Sequence, residues 1–557
     1  ANHCSKKHIL PVLVISVLVL AVYIKTMPPG STWEHYGYDA GDLIACIYTM
    51  GIPHPPGTPL YVLIGQVFRV LPFFSVPAAK FNFMSIIFGW LSLIITYFTS
   101  LRVSGSRFAS LVATFFLAFA PLFWGQSIIA EVLTLNLFLV TLSTYLLISW
   151  ERSDASGFRR DRFLYLSLFL FGLALTNHTS SLMFAPAALF MILSVAPDFL
   201  KSTQSVFKMG FFFLLGLLPY LYLPIRSSMQ PSLNWGDPSS LSRFISHVTA
   251  KEYQEFLFVA PALFLDNAAR FLGWVWGNFN PFGSLLLVLG LFFGRKDRVR
   301  DFLIFSLLFQ LLFIFNYNIV NIETYLLPVF FVLALLLAEG CIVARDLFSR
   351  VLRWLDEKNL RLFARIRPFW KREESEITFA EVSSFLFSLL LVIACSINIF
   401  LRWKEVNLHD ERKAFDYGRE VFEVLEPGAI VLAEGDKFFL GLNYFKYAVF
   451  PARTDVAVLH EAFFCKLGWM LKQAIRNYPE LEFPRTESTM DEDEAFETLL
   501  EFVEANREKH PIYLAIGEEP LGTDQAVRTA WAGRYIIQSV GPIYKIIGKK
   551  WLLSAMQ

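Results

Sequence analysis

Charge is what this sequence is shortest of. Of 557 residues only 17% are Asp, Glu, Lys or Arg, against about 25% in an ordinary soluble chain. That shortage excludes a large soluble enzyme; the net charge of +1 excludes little by itself. Cysteine is scarce too. Cys4, Cys46, Cys341, Cys395 and Cys465 form no CxxC pair and no zinc spacing, so neither a disulfide framework nor a cysteine metal site is expected. His54, His178 and His247 show no HxxxH or HxH spacing, which leaves a zinc site without support. No short-period repeat runs through the chain.

Apolar sequence is what is abundant. Hydrophobic residues make up 55% of the chain, Phe alone fills 58 positions, and mean hydropathy is +0.48. This is the composition of a polytopic membrane protein. A spanning helix needs about 20 mostly apolar residues. Candidates lie at 9–26, 82–101, 108–124, 130–150, 163–178, 180–197, 207–225, 268–293, 302–320, 323–344 and 379–401, about eleven in all. The segment 268–293 is interrupted by Asn278, Asn280 and Pro281, and 163–178 with 180–197 also allows a single hairpin. The first segment follows Lys6, Lys7 and His8 and reads as a retained signal anchor.

The loops test this count. With the N-terminus inside, Arg102 and Arg107, the Arg152–Arg162 cluster, Lys201 and Lys208, the Arg295–Arg300 cluster and the basic stretch Arg345–Arg372 all fall on one side, as the positive-inside rule requires. The last of these reads as a topology signal at the membrane surface, not a nucleic-acid site. Residues 1–401 are then a transmembrane domain with external loops at 26–81 and 226–265, and 402–557 is an extracytoplasmic domain. In that domain "GAIVLAEGD", "VAVLH", "PIYLAIG" and "RYIIQSVGPIYKIIG" read as strands, and 410–426, 461–477 and 491–509 as helices. The alternation predicts a small α/β domain. It carries no phosphate loop or nucleophile motif and reads as accessory, its strands presenting a groove to protein acceptors.

Two external stretches hold groups that could do chemistry. In "YDAGDLIACIYTMGIPHPPGTPLY", Asp39 and Asp42 precede a stiff turn containing His54. The plain alternative is structural: Asp39 as the N-cap of a helix from Ala40, with Asp42 as its N3 partner. The chemical alternative is a carboxylate that takes the proton of an attacking hydroxyl. The second stretch, Gly216–Gln254, brings Arg226, Asn234, Trp235, Asp237, Arg243, His247 and Lys251 to the same side. Cations there suit a lipid phosphate, while Trp and Arg at that depth also suit an interfacial anchor. Glu131, Asn177, His178 and Glu323 lie within or between spans, where carboxylates usually face a cavity or a partner.

These stretches also carry a resemblance. "YDAGDLIACIYTMGIPHPPGTPLYVLIGQVF", "FWGQSIIAEVLTLN", "GLALTNHTSSLMFAP" and "LPYLYLPIRSSMQPSLNWGDPSSLSRFISHVT" resemble, in order, the motifs of the class C (GT-C) polytopic glycosyltransferase family that includes the protein O-mannosyltransferase transmembrane protein 260 and its bacterial relatives. The family's frequent Gly-Asp-Ser-Gly-Glu appears here as Tyr-Asp-Ala-Gly-Asp, so Asp42 stands where Glu is usual. The resemblance implies a GT-C fold of about eleven membrane helices and a C-terminal α/β domain. It implies inverting transfer of a hexose, expected to be mannose, from a polyprenyl phosphate to a hydroxyl of an exported protein. Asp39 matches the family's catalytic aspartate and is the expected general base; Asp42 orients the acceptor or supports Asp39. Arg226, Arg243 and Lys251 are the expected donor-phosphate ligands, and His54, Glu131, His178, Asn234, Trp235 and Asp237 shape the pocket or meet the acceptor. No cofactor is required, although two carboxylates leave room for a divalent cation. The expected partners are the lipid-linked sugar, the protein acceptor and the bilayer. A bacterial inner membrane is favoured by the short tail, with an endoplasmic-reticulum membrane as the other possibility. The rival readings are a transporter or lipid flippase, which the broken segment near 273–283 allows, and a non-catalytic assembly subunit.

Overall fold

Long apolar runs become long helices, and the computed structural model describes residues 2–154, 157–357, 379–464, 468–489, 491–516, 529 and 531–549. The helices are α1 (Asn2–Thr26), α2 (Ala40–Thr49), α3 (Pro59–Arg69), α4 (Pro77–Ser104), α5 (Arg107–Ala118), α6 (Pro121–Ser127), α7 (Leu133–Glu151), α8 (Phe158–Leu175), α9 (Ala185–Val195) and α10 (Thr203–Gly216). There follow α11 (Tyr222–Ser228), α12 (Leu241–Val248), α13 (Pro261–Phe293), α14 (Arg298–Phe315), α15 (Leu327–Glu357) and α16 (Phe379–Val406), then α17 (Lys413–Val424), α18 (Gly435–Tyr444), α19 (Gly468–Asn477) and α20 (Glu492–Asn506). Residues 358–372 of the basic stretch, and Cys465, lie outside the described residues.

The fold class is the one expected: a multi-pass helical membrane protein with a small C-terminal sheet. The number of spans is a separate matter. Among the described residues, six helices are long and apolar enough to cross a membrane, and eight if two bent pairs each count as one. The bends, 68° between α5 and α6 and 47° at Gly216–Leu218, both fall beside prolines, Pro121 and Pro219. Three further expected spans fall on α8, on Thr179–Val195 and on α14. Charge shortens the apolar part of two of them: Arg159, Arg160, Asp161 and Arg162 open α8, and Arg298, Arg300 and Asp301 open α14. The interruption expected in 268–293 is present. Asn280 leaves helical geometry inside α13 (φ 54°, ψ 176°), and its side chain accepts from the backbone N–H groups of Phe282 and Gly283, restarting the helix after Pro281.

The two ends of the bundle differ. At one end Arg152, after α7, pairs with Asp297, before α14, at 2.6 Å, which holds two of the basic loops together. At the other end the 27–76 segment and the 229–260 segment meet the C-terminal domain. Leu408 N–H donates to Thr26 O (2.9 Å), Asn477 to Ser232 O (2.7 Å), and the Gln473 side chain accepts from Asn234 N–H (2.7 Å).

The domain is built on a sheet ordered β2-β1-β3-β5-β4: β1 (Ile430–Ala433), β2 (Ala457–His460), β3 (Ile512–Ala515), β4 (Tyr535–Val540) and β5 (Ile543–Lys549). β1 pairs in parallel with β2 and β3, while β5 pairs antiparallel with β3 and β4. β1 and β3 read IVLA and IYLA, apolar throughout and fully buried, as strands covered on both faces must be. Of the expected helix over 461–477, the described residues form a 3-10 turn at Glu461–Phe464 and α19 from Gly468.

Candidate active site

The site starts from a short buried helix. Eight of the ten residues of α2 are buried, Asp42 among them. Asp39 stands at its N-cap with αR backbone angles (φ −71°, ψ −16°), and its side chain makes no capping hydrogen bond. Side-chain capping favours the β region, so the capping-box alternative is not realised and the carboxylate is left to face outward. Met50 closes the helix in the left-handed conformation. The chain then runs beside the second external segment: Ile52 N–H donates to Leu233 O (2.9 Å), and Trp235 N–H donates to Ile52 O (3.2 Å). The His-Pro-Pro-Gly turn brings His54 back over α2. Gly57 permits it: its φ is +86°, and a Cβ there would lie 2.8 Å from His247 Nε2.

The turn creates a line of three groups. His54 Nδ1 lies 2.7 Å from Asp42 Oδ2, and His54 N–H donates to that same oxygen at 2.9 Å. The Cys46 thiol donates to Asp42 Oδ1 at 3.4 Å. Both oxygens of Asp42 are thus engaged, and its side chain is 5% exposed. On the other side, His54 Nε2 lies 3.8 Å from Asp39 Oδ2, whose side chain is 40% exposed. Burial opposes charge on the His54 ring, but the charge of Asp39 and the hydrogen bond to Asp42 outweigh it and lift its pKa to about 10. Burial raises the pKa of Asp39, and the charge on His54 pulls it back.

Asp39 opens onto a cavity of about 510 Å³. The first loop supplies Tyr36, Tyr38 and His54; the stretch before α7 supplies Glu131; His178 follows α8. Trp235 and Tyr253 come from the second loop, Tyr317 and Tyr325 from the α14–α15 connection, and Asp436, Lys437 and Leu440 from α18. The wall is largely aromatic. Trp235 lies edge-on to His54 (6.0 Å between rings), and His178 edge-on to Tyr325 (5.1 Å). Burial and the charge on His54 lower His178 to about 4, so its ring is neutral and its Nδ1 is free to bond Ser180 Oγ (2.8 Å). Glu131 is 6% exposed, and burial raises its pKa well above the usual carboxylate range. Tyr36 donates to Glu323, tying the first loop to the α14–α15 connection. Among the described residues, no three His, Cys, Asp or Glu side chains come together as a metal-binding group.

The expected residues divide. Asp39, His54, Glu131, His178 and Trp235 line one cavity, with Asp42 directly behind it. Arg226, Arg243 and Lys251 do not line it, so a shared phosphate site for them has no counterpart in the geometry. Arg226 donates from Nε to Met50 O (2.9 Å), and Arg243 pairs with Asp237 (2.9 Å). Lys251 is exposed at the start of a 3-10 turn. Asn234 and Asp237 also stand outside the cavity walls; Asn234 donates to Asp237 Oδ1 (3.3 Å), which also accepts from Ser227 (2.9 Å). These side chains shape the second loop. The α/β domain, expected as accessory, supplies part of the wall. Asp436 and Lys437 were missed although a signal existed: they follow "GAIVLAEG", just past the carboxyl end of a parallel strand, where α/β sheets place ligands.

The comparisons with known proteins agree with this architecture. Residues 39–199 match the family model described as the Protein O-mannosyl-transferase TMEM260 N-terminal domain. Protein O-mannosyl-transferase tmem260 of Dictyostelium discoideum is 24% identical over 574 residues, covering 98% of this chain and 68% of the relative. Protein O-mannosyl-transferase TMEM260 of Mus musculus is 25% identical over 525 residues, covering 90% and 70%. Among solved structures, ArnT from Cupriavidus metallidurans bound to undecaprenyl phosphate is similar with a TM-score of 0.60 at 13% identity, over 96% of this chain and 97% of that one. The archaeal oligosaccharyltransferase AglB from Archaeoglobus fulgidus, in complex with an inhibitory peptide and a dolichol-phosphate, gives 0.50 at 11% identity, over 97% and 74%. The motifs, the domain match and the fold agree: this chain has the GT-C fold and is similar, over most of its length, to the protein O-mannosyl-transferases named TMEM260.

Proposed function

We propose that this protein transfers a hexose, mannose by preference, from a polyprenyl phosphate to a hydroxyl of an exported protein. The broader statement, a membrane glycosyltransferase, is supported by the named relatives, which are protein O-mannosyl-transferases. The observation that carries the finer reading is the Asp39 carboxylate, open to the cavity and backed by a His54 ring that Asp42 holds in place.

The chemistry follows from that line of groups. Asp39 accepts the proton of the acceptor hydroxyl as the oxygen attacks the sugar's anomeric carbon. The bond from that carbon to the phosphate oxygen breaks, and its electron pair stays on the phosphate. Attack opposite the leaving group inverts the anomeric carbon. Asp42 cannot meet the acceptor, because it is buried and both its oxygens are taken; it fixes His54, whose charge opposes the upward pull of burial on the Asp39 pKa. Aromatic walls suit a sugar, whose C–H faces stack on rings while its hydroxyls need polar partners. The cavity lies at the end of the bundle that carries the C-terminal domain, away from the Arg152–Asp297 loops, which supports an extracytoplasmic active site.

The test is transfer itself. Purified protein in nanodiscs, given polyprenyl phosphate carrying radiolabelled mannose and a serine- and threonine-rich peptide, should move label to the peptide. Label that crosses a sealed vesicle while still joined to its lipid would instead identify a transporter.

A further inference from the structure

The cavity has a charge problem. Asp39 and Asp436 line it, the charge on His54 is shared between Asp39 and Asp42, and a lipid phosphate entering it is an anion. Among the described residues of the wall, one Lys or Arg is present, and it comes from the C-terminal domain: Lys437. It sits in the first turn of α18, which packs on α2 so closely that a Cβ on Gly41 would lie 2.5 Å from Leu440 O. The Lys437 Nζ lies at the edge of the cavity, 6.0 Å from the centre of the Tyr38 ring in the wall, and also 4.3 Å from that of Trp33 and 5.5 Å from that of Phe438, which stand beside the cavity. Arg226, Arg243 and Lys251 are occupied or exposed elsewhere.

We infer that Lys437, contributed by the C-terminal domain, binds the phosphate of the lipid-linked donor and its leaving form. This rests on the polyprenyl-phosphate reading above. The donor is a phosphodiester with one negative charge. When the sugar leaves, the bond's electron pair adds a second charge to the phosphate, and a nearby ammonium gains attraction as that charge develops. The α/β domain is then a working part of the catalytic centre, and the bilayer half alone is incomplete.

The plainer role for Lys437 is docking: a cation–π contact that fastens the domain to the first loop. The two roles separate in a binding experiment with the full chain in nanodiscs, using bare polyprenyl phosphate and the neutral polyprenol as probes. Lys437→Gln should weaken phosphate binding by about tenfold or more, the loss of one charge-assisted bond, and leave polyprenol binding unchanged. Trp33→Leu, which removes the docking contact but keeps the cation, should hold phosphate binding within a few-fold of wild type. Should Lys437→Gln melt early, Lys437→Arg serves in its place: it keeps both charge and ring contact, and should retain phosphate binding. Wild-type affinity in Lys437→Gln overturns the inference. So does a loss in Trp33→Leu equal to that in Lys437→Gln, or a loss of binding in folded Lys437→Arg. A wild-type protein that does not prefer polyprenyl phosphate to polyprenol overturns the donor reading itself, and this inference with it.

Discussion

At His54 two opposing effects meet: burial disfavours the charged ring, and two carboxylates favour it. The carboxylates win, and the ring stays charged to about pH 10 against an ordinary 6.5. A raised histidine pKa stabilises the fold fully below the unfolded value and loses that contribution as pH climbs through the folded one. The melting-temperature gap between wild type and His54→Gln should therefore be widest near pH 6.5 and close toward about pH 10. A gap constant over that range would mean the ring is neutral. The same variant carries a kinetic signature. Without the imidazolium, Asp39 loses the charge that offsets its burial, so the acidic limb of the pH–rate profile should move to higher pH. A purely structural His54 would lower the rate without moving the limb. Asp39, Asp42 and His54 were legible in the sequence because one turn of chain brings them together. The tyrosines of the wall were not: Tyr253, Tyr317 and Tyr325 come from segments hundreds of residues away, and nothing local marks a tyrosine as facing a cavity.

α2 and α18 meet backbone to backbone, and this contact joins the membrane part to the sheet domain. Gly41 allows it. Gly41→Val puts methyl groups where a Cβ alone would already lie 2.5 Å from Leu440 O. Such overpacking costs about 1–3 kcal/mol, and here the relief available is for α18 to lift away. The variant should melt lower, and its C-terminal domain should be cut faster by protease. Gly441→Ala on α18 is the matched control, since its Cβ would meet nothing within 4 Å, and it should behave as wild type. Equal protease resistance in both would show that the contact does not hold the domain. The strands of this domain were readable from their apolar runs, yet α18 was not expected. Its sequence, GDKFFLGLNY, is apolar because it is sandwiched between sheet and bundle, so it lacks the one-sided polar face that marks a surface helix. The spans show the converse. Hydropathy finds apolar runs, but it does not reveal that α5 and α6 bend by 68° at Pro121 or that charge trims the ends of α8 and α14.

On the scale of the whole molecule, the cavity belongs to no single part. Loops from one end of the bundle supply Asp39 and His54, the α14–α15 connection supplies aromatic wall, and the sheet domain supplies Asp436 and Lys437. Order along the sequence hides this: Asp39 and Lys437 line one cavity although the whole bundle separates them in the chain. In the proposed function this shared cavity transfers sugar with Asp39 as the base. Asp39→Asn tests it, because the side chain makes no capping bond and Asn keeps its size and shape. The decisive measurement is the rate of mannose transfer from polyprenyl phosphate to peptide, wild type against Asp39→Asn, at equal protein stability and equal binding of bare polyprenyl phosphate. A fall of at least about a hundredfold is predicted, the usual loss for a general base. Full turnover in folded, lipid-binding Asp39→Asn would contradict that proposal and place the base elsewhere.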